Sequence, residues 1–336
     1  MRKLVEVVLI EEVKSIPDAD LICAYRVMDG WWVVDQVGKY MVGDKVMFAM
    51  IDCWIPNWLA PFLSKGKEPR EYKGVKGERL RTVKLKKQLS QGLLLPMTVA
   101  SKEELAVGED VSAHLGVIKW EPPEEFRSAD AKGTLPKFFP KTDEERIQNV
   151  YRDLTEPLDL DTWEITEKCE GSSISIYFNN GEYGVCSRNL DLKESDENTF
   201  WKTVKKYKIV EKLIALNENI AVQGELIGPG IQGNIYKLAD HEIRVFNVFN
   251  IDKQEFQLPN ERELTTLQLG LQSVPVIGKN VSLTGLTCEE LLSMADGATA
   301  VGETKCLREG LVFSSMSVHN LSFKTVSNKY LLNEKF

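Results

Sequence analysis

Residues 167–189 read EKCEGSSISIYFNNGEYGVCSRN, and in this stretch Lys168 is separated by one residue from a Glu-Gly pair. The runs 173–178 and 182–187 have the residue types and alternation of β-strands, and Asn179-Asn180-Gly181 between them is a turn sequence. The stretch therefore predicts a hairpin, and it leaves open whether the lysine is a surface residue or a reactive one.

Lysine is a nucleophile only when its amine is neutral, and a free lysine is about one part in a thousand neutral at pH 7.4. Burial or a nearby cation lowers the pKa and increases that fraction. Lys168 follows an apolar strand, Glu170 could hold a metal ion beside it, and Gly171 would let a phosphate approach the backbone. Four such residues are a weak signal, so taken alone they favour an exposed lysine at a strand end.

Composition sets broad limits on the class of protein. The 336 residues are 43% hydrophobic and 27% charged, which is ordinary for a soluble chain of two or three domains. No apolar run is long enough to span a membrane and no secretion signal is present, so we expect an intracellular protein of the cytoplasm or nucleus, without a membrane partner. The six cysteines form no C-x-x-C pair and predict reduced thiols rather than disulfides or a zinc site. We also expect a monomer.

Charge is unevenly distributed along the chain. The net charge of −8 argues against a general nucleic-acid coat. Residues 65–87, however, hold ten basic and three acidic side chains, a local charge of +7. Such a segment is either a solvated loop or a contact for a phosphate backbone.

The pattern of elements predicts an α+β protein with three regions. Residues 1–115 have β-rich runs at 4–13, 21–28, 31–34 and 45–51, with Asp29-Gly30 as a hairpin turn, and predict an OB-like β-barrel; an SH3-like barrel has a similar pattern. Residues 116–135 are rich in proline and charge and predict a linker. Residues 136–336 predict antiparallel sheets with flanking helices.

Within the last region the pattern places individual elements. A helix is predicted at 200–216 with Val204, Tyr207, Val210 and Ile214 on one face, and a capping box at Thr287-Cys-Glu-Glu290 begins another. Strands are predicted at 163–165, 173–178, 182–187, 221–227, 243–251, 310–314 and 321–326.

Further polar and aromatic residues follow Lys168 inside or beside these apolar strands. In chain order they are Arg188, Glu225, Phe246, Glu309 and Lys324. Around one cleft they would supply an aromatic ring for a base, carboxylates for a ribose and a metal ion, and cations for phosphates. Those are the parts of an ATP site.

The order Lys168-Cys-Glu-Gly, Arg188, Glu225, Phe246, Glu309-Gly and Lys324 resembles the collinear motifs of covalent nucleotidyltransferases, the polynucleotide ligases and mRNA capping enzymes. The segments PKTDEERIQN, VQGELIGPGIQGN and RVFNVFNI are similar to those of nick-sealing ATP-dependent RNA ligases. The β-rich N-terminal part, with GERLRTVKLKKQLSQGLLLP, resembles the Deinococcus/Naegleria branch, in which an OB domain precedes the ligase domain. The resemblance covers nearly the whole chain. Because only about ten residues follow the Lys324 motif, we expect no C-terminal OB domain, which counts against DNA ligases and capping enzymes.

This resemblance implies an ATP-dependent RNA ligase. Lys168 would attack the α-phosphorus of ATP to form lysyl-AMP, the AMP would pass to an RNA 5′-phosphate, and a 3′-OH would then displace it. The nucleotidyltransferase domain would be 136–336, with 1–115 as an RNA-binding domain whose basic loops contact the RNA backbone. Trp31, Trp32, Trp54 and Trp58 could be stacking platforms for bases, although tryptophans are more often core residues. The implied partner is RNA with 3′-OH and 5′-phosphate ends, at nicks in a duplex, in RNA repair.

The resemblance also implies a role for each site residue. The metal ion, Mg²⁺ or Mn²⁺, would be held by Glu170, Glu225 and Glu309. Adenine would stack on Phe246 with Glu167 at its edge, and Glu225 could also contact the ribose. The remaining contacts would be Arg188 to the ribose or RNA 5′-phosphate, Lys324 to the α-phosphate, and Arg146 to the β- and γ-phosphates.

Two positions depart from the family pattern. Glu170 stands where aspartate is frequent, and Val326 stands where the last motif often has a second lysine. Two alternatives therefore stay open: another covalent nucleotidyltransferase (a DNA ligase or an mRNA guanylyltransferase), or a non-catalytic RNA-binding protein with a degenerate ligase fold.

Overall fold

The stretch that follows Lys168 forms the predicted β-hairpin. Its strands are Ser172–Asn179 and Glu182–Cys186, paired antiparallel from Asn179↔Glu182 to Ser175↔Cys186. Asn180 and Gly181 have φ values of 51° and 87°, the left-handed conformation that a tight two-residue hairpin turn requires. The Asn-Gly sequence therefore fixes the register of this hairpin.

The computed structural model describes residues 3–100, 105–121, 130–302 and 306–333. The chain divides into two compact units, one of Met1–Pro123 with Leu331–Phe336 and one of Glu124–Tyr330. Part of the predicted linker, residues 122–129, lies outside the described residues. On either side of it, Ile118–Lys119 pairs with Cys53–Trp54 of the first unit, and Ala131–Thr134 pairs with Leu190–Leu192 of the second. The bounds of the predicted domains stay a prediction.

The first unit is built from short antiparallel strands. They are β1 (Val5–Leu9), β2 (Glu12–Ile16), β3 (Ala19–Val27), β4 (Trp31–Gln36), β5 (Lys45–Ala49), β6 (Cys53–Pro56), β7 (Arg70–Tyr72), β8 (Val75–Arg79), β9 (Val83–Leu85), β10 (Gln88–Ser90), β11 (Leu93–Pro96) and β12 (Ile118–Lys119). The sheets are β1-β5-β11, β2-β3-β4, β12-β6-β8-β7 and the pair β9-β10.

The β1-β5-β11 sheet is buried on both faces, as expected in a small barrel. Val7 and Met47 pack into one core cluster, whereas Val8 and Phe48 pack into another. The hairpin predicted at Asp29-Gly30 joins β3 to β4 and is confirmed. The β-rich run predicted at 4–13 contains two strands, because the chain leaves the sheet after Leu9 and turns into β2.

The tryptophans of the first unit differ in exposure. Trp31 and Trp54 are buried in the folded unit, so of the two alternatives they are core residues and not stacking platforms. Trp32 is partly exposed, and Trp58 is 62% exposed.

The second unit contains two antiparallel sheets and flanking helices. Its strands are β13 (Ala131–Thr134), β14 (Thr162–Lys168), β15 (Ser172–Asn179), β16 (Glu182–Cys186), β17 (Leu190–Leu192), β18 (Ile220–Ile227), β19 (Glu242–Asn250), β20 (Glu255–Phe256), β21 (Gln272–Ser273), β22 (Val276–Ser282), β23 (Gly310–Ser315) and β24 (Ser322–Val326). Its helices are α1 (Ile147–Leu160), α2 (Thr199–Lys206), α3 (Ile209–Leu216), α4 (Pro259–Gln268) and α5 (Cys288–Met294); α6 (Asn328–Asn333) crosses the boundary in the chain between the units.

The larger sheet has the order β13-β17-β16-β15-β18-β19-β20, with β21 pairing parallel to β19, and the smaller has the order β22-β14-β23-β24. One face of the larger sheet packs on α2 and α3 through residues such as Ile176, Trp201 and Leu213. The smaller sheet packs on α1 and α5 through residues such as Phe313 and Leu291. The strands predicted in this unit are confirmed, so the α+β expectation is correct.

The helix predicted at 200–216 is two helices, α2 and α3. Lys208 between them has a φ of 51°, which interrupts the helical hydrogen bonds. The predicted single face is therefore interrupted: Val204 is fully buried, whereas Ile214 is 46% exposed. The capping box is confirmed: Thr287 Oγ1 accepts a hydrogen bond from Glu290 N at 3.2 Å and begins α5.

In the part of the chain that the structure describes, no helix is both long and apolar enough to cross a membrane. All six cysteines are free thiols, five of them buried.

Candidate active site

Lys168 is the last residue of β14, and its amine forms an ion pair with Glu309. Lys168 lies opposite Gly310 in the β14–β23 ladder, so Glu309 enters β23 directly beside it. Lys168 Nζ donates a hydrogen bond to Glu309 Oε2 at 2.5 Å, and the two side chains are 27% and 21% exposed. Two residues 141 positions apart in sequence are thus joined by strand pairing.

Burial and the neighbouring charges shift the pKa of Lys168 in opposite directions. Burial lowers the pKa of Lys168, but the charges of Glu309 and Glu225 and the hydrogen bond to Glu309 outweigh it, so the net pKa is raised. The ion pair favours the ammonium form. This differs from the expected lowered pKa, because the carboxylates around Lys168 are charged and close.

Glu225 lies on β18, opposite Ser173 of β15. The strand pairing therefore places Glu225 beside the start of β15, the strand that follows Lys168. A Cβ on Gly171 would lie 2.5 Å from Leu226 O and 2.8 Å from Glu225 Cγ. Residue 171 must therefore be glycine for the chain after Lys168 to approach β18 closely. This contact explains Gly171 without the expected role in admitting a phosphate. The backbone N–H of Glu170 donates a hydrogen bond to the hydroxyl of Tyr236 at 2.6 Å, and this bond holds Glu170 in place.

The three carboxylates predicted to hold a metal ion do not form a ready-made ligand set. Among the described residues, no group of three or more His, Cys, Asp or Glu side chains is arranged to hold a metal ion. Glu225 and Glu309 nevertheless both act on the charge of Lys168. Their carboxylate oxygens are the ligand type that Mg²⁺ and Mn²⁺ prefer, and Mg²⁺ usually keeps several waters. The chemistry of the donors therefore fits the predicted ion.

Phe246 occupies a β-bulge. Gln223 pairs with Asn247 and Gly224 with Val245, so Phe246 has no opposite residue on β18. Bulges redirect side chains and are frequent beside active sites. The Phe246 ring packs against a cluster that includes Cys169, the residue after Lys168, and Tyr236. The structure therefore brings the predicted base platform next to the predicted nucleophile.

Two further cations join Lys168. Arg146 and Lys324 form a parallel bridge, and Lys324 N donates to Glu145 O at 2.8 Å. Burial, together with the charges of Lys168 and Arg146, lowers the pKa of Lys324 to about 8. Three cations, Lys168, Arg146 and Lys324, thus lie close enough to repel one another. Such a concentration of positive charge is suited to binding phosphate. Lys329 is held elsewhere, with its Nζ 3.5 Å from an oxygen of Asp296.

Arg188 and Glu167 have partners of their own. Arg188 is exposed and donates to Asp143 Oδ1 at 2.6 Å, and the charge of Asp143 also acts on Lys324. Glu167 is buried; it accepts hydrogen bonds from Thr299 Oγ1 and, at 2.7 Å, from Ala300 N. It thereby fixes the loop at 299–300, and its contact with an adenine edge stays a prediction.

Three supporting residues were not found from the sequence. They are Tyr236, which holds the backbone of Glu170; Asp143, which holds Arg188; and Arg262 of α4, which forms a buried ion pair with Glu164 and contacts the backbone of Phe246. A tyrosine in a loop and an arginine among polar helix residues carry no local signal of these distant contacts.

The second unit contains a strand-end lysine paired with a carboxylate, two cations beside it and a bulged aromatic residue, and it follows an N-terminal barrel in the sequence. These are features of nucleotidyltransferase-type ligases. A family model described as RNA ligase matches residues 161–331, and one described as an OB-fold domain matches residues 4–97. The chain belongs to the RNA ligase family.

Solved structures of Naegleria gruberi RNA ligase are similar over the full length. A variant with ATP and Mn has a TM-score of 0.87 and 37% identity over 99% of each chain. The structure with PPi has a TM-score of 0.86 and 38% identity over 100% of this chain and 99% of that one. A variant with AMP and Mn has a TM-score of 0.87 and 38% identity over 99% of each chain. No curated protein matches the sequence.

Proposed function

We propose that the protein is an ATP-dependent RNA ligase that joins 3′-OH and 5′-phosphate RNA ends through lysyl-AMP and adenylylated RNA, at nicks in duplexes. The observation that carries this proposal is the 2.5 Å pair of Lys168 with Glu309, beside Lys324 and Arg146, in a chain of the RNA ligase family. ATP is the AMP donor and Mg²⁺ or Mn²⁺ the metal ion.

Lys168 is the nucleophile. Its amine forms a P–N bond to the α-phosphorus of ATP while the bond to pyrophosphate breaks. Burial already acts to lower the pKa of Lys168, and the charges of Glu309 and Glu225, together with the hydrogen bond to Glu309, outweigh it. A divalent ion held by these two residues and Glu170 would neutralise the carboxylates and so favour the neutral amine.

The other residues position the nucleotide. Lys324 holds the α-phosphate, and Arg146 holds the β- and γ-phosphates, which suits the excess positive charge around them. Phe246 stacks on adenine from its bulge, and Glu167 lies near the adenine edge. Arg188, which is exposed, can exchange Asp143 for the ribose or the RNA 5′-phosphate.

The first unit contacts RNA. Seven of the ten basic residues of 65–87 are exposed and have no ion pair among the described residues: Lys65, Lys67, Lys73, Arg81, Lys84, Lys86 and Lys87. Exposed cations suit a phosphate backbone, and exposed Trp58 can stack on a base. We further propose that the protein acts as an intracellular monomer in RNA repair, with domains at 1–115 and 136–336.

The test is a gel of purified protein with α-labelled ATP and Mg²⁺ or Mn²⁺, followed by nicked duplexes with RNA or DNA 3′ ends. We expect acid-labile label on Lys168 and sealing of the nick with an RNA 3′ end. Lys168→Ala should abolish labelling, whereas Lys329→Ala, which alters a lysine held by Asp296 outside this cluster, should keep it.

Three outcomes would contradict the proposal. Label transferred from GTP alone would indicate a guanylyltransferase. Equal sealing of nicks with DNA 3′ ends would indicate a DNA ligase. Absence of labelled protein in the parent would leave a non-catalytic RNA-binding protein.

A further inference from the structure

Arg262 of α4 forms an ion pair buried inside the second unit. Its Nη2 lies 2.6 Å from Glu164 Oε2, and the two side chains are only 4% and 1% exposed. Removing two charges from water is costly, and buried ion pairs are often replaceable by apolar residues without loss of stability. Stability alone therefore does not account for this pair.

The second bond of Arg262 reaches the bulge on β19. Its Nη1 donates to Phe246 O at 3.3 Å. Phe246 is the residue without an opposite partner on β18, so its backbone is not fixed by that ladder. Arg262 thus supplies a contact at the position where the sheet's regular pairing is interrupted.

The same guanidinium connects two functional strands. Glu164 lies on β14, four residues before Lys168, whereas Phe246 lies on β19 of the other sheet. Helix α4 holds Arg262 in place: Arg262 N donates to Leu258 O at 2.9 Å, and Thr266 Oγ1 donates to Arg262 O at 2.7 Å. The forked guanidinium can bond both partners at once, which a single ammonium group cannot do with the same geometry.

We propose that Arg262, held by Glu164, is a positioning residue that sets the Phe246 bulge and thereby aims the ring at the base of ATP. It fixes the distance between the base platform on β19 and the strand that ends in Lys168. This inference rests on the proposed function, in which Phe246 stacks on adenine. Arg262 itself touches neither nucleotide nor RNA in this role.

The test is ATP affinity and steady-state nick sealing by Arg262→Lys in the full chain. Calorimetry on the Lys168→Ala background measures the Kd of ATP without reaction, and multiple-turnover sealing of nicked RNA duplexes by the otherwise intact protein gives the KM for ATP and kcat. We expect Kd and KM for ATP to rise about tenfold, because the misplaced ring would lose part of the binding energy that stacking on a base contributes. We expect kcat to stay within about threefold of the parent value. Glu263→Gln, next to Arg262 on α4 but in an exposed pair with Lys279, is the matched control and should equal the parent.

A double-mutant cycle separates positioning from general damage. Phe246→Ala weakens ATP binding by itself, and if Arg262 acts through Phe246, adding Arg262→Lys should cause little further loss. If Arg262→Lys does not fold, Arg262→Met with Glu164→Met removes both charges together and takes its place, since replacing a whole buried pair preserves stability better than breaking it.

Each remaining outcome overturns the inference. Equal losses from Arg262→Lys with and without Phe246, or a fall in kcat with unchanged KM, would mean that Arg262 acts otherwise than through the base platform. An Arg262 variant that binds ATP like the parent would refute the inference alone. A parent that forms no lysyl-AMP would refute the proposed function, and the inference with it.

Discussion

Gly310 lies between the strand that ends in Lys168 and the strand that carries Lys324, and a methyl group has no room there. Gly310 pairs with Lys168 on one side and Val326 on the other. A Cβ on Gly310 would lie 2.1 Å from Thr325 O and 3.1 Å from Val326 Cα, all of it backbone that no side-chain rotation can move. We predict that Gly310→Ala damages both stability and chemistry.

The size of the effect follows from this distance. Real Cβ atoms essentially never approach a heavy atom within 3.0 Å, so 2.1 Å leaves a shortfall of about 0.9 Å, which β23 and β24 must absorb by separating. Overpacking of this kind costs about 1–3 kcal/mol of the free energy of unfolding. A shift of about 1 Å among reacting groups reduces a rate on the order of 100-fold. Because Glu309 precedes Gly310 and Lys324 precedes Thr325, the same shift moves both residues relative to Lys168.

The assays are urea unfolding of the full chain and single-turnover formation of labelled lysyl-AMP. The matched control is Gly133→Ala on β13, where a Cβ would meet no atom within 4 Å; it should change the free energy of unfolding by less than about 1 kcal/mol and leave the rate unchanged. A Gly310→Ala protein as stable and as fast as the parent would refute the steric argument. Lost stability with a retained rate would refute its link to the site.

Three further predictions concern other parts of the molecule. Because the pKa of Lys324 is about 8 in the folded protein against 10.5 for the free side chain, Lys324→Met should be more stable than the parent below pH 8 by up to about 3 kcal/mol. Urea midpoints should show this advantage shrinking as pH rises from 8 to 10.5. A stability difference that does not change with pH would contradict the lowered pKa of Lys324 as its cause. Tyr236→Phe removes the 2.6 Å contact with Glu170 N and should cost about 1 kcal/mol in urea unfolding and slow lysyl-AMP formation; an unchanged rate would separate Tyr236 from the site. Trp58→Ala should weaken binding of a nicked RNA duplex by about 1–3 kcal/mol in a gel-shift titration while leaving lysyl-AMP formation unchanged, and unaltered binding would exclude Trp58 as a stacking platform.

Local patterns predicted the elements of this fold because their causes are local. The turn at Asn180-Gly181 needs two residues that accept a positive φ, and the capping box needs only Thr287 and Glu290. The break at Lys208 is less visible, since lysine is an ordinary helix residue; its left-handed conformation lies between two helices that both pack on the larger sheet.

The candidate site was predictable as a set of residues but not as a set of contacts. The order of the motifs indicated Lys168 and Glu309, and the structure joins them. Nothing near Glu164 or Arg262 in sequence indicates that they meet, because 98 positions separate them and their pairing depends on the tertiary packing. The raised pKa of Lys168 was also missed, since burial alone would lower it and the opposing carboxylates come from other strands.

The two Glu-Gly pairs of the motifs have one physical explanation. A Cβ on Gly171 would meet Leu226 O of β18 at 2.5 Å, and a Cβ on Gly310 would meet Thr325 O of β24 at 2.1 Å. Each glycine thus permits a close strand contact directly after a glutamate: the first contact is with the strand of Glu225, and the second is with the strand of Lys324. The carboxylates that act on Lys168 come from β18 and from the start of β23, and these strands make close backbone contacts at positions where a side chain is missing. The glycines are therefore required by the packing that assembles the site, whether or not a phosphate ever touches them.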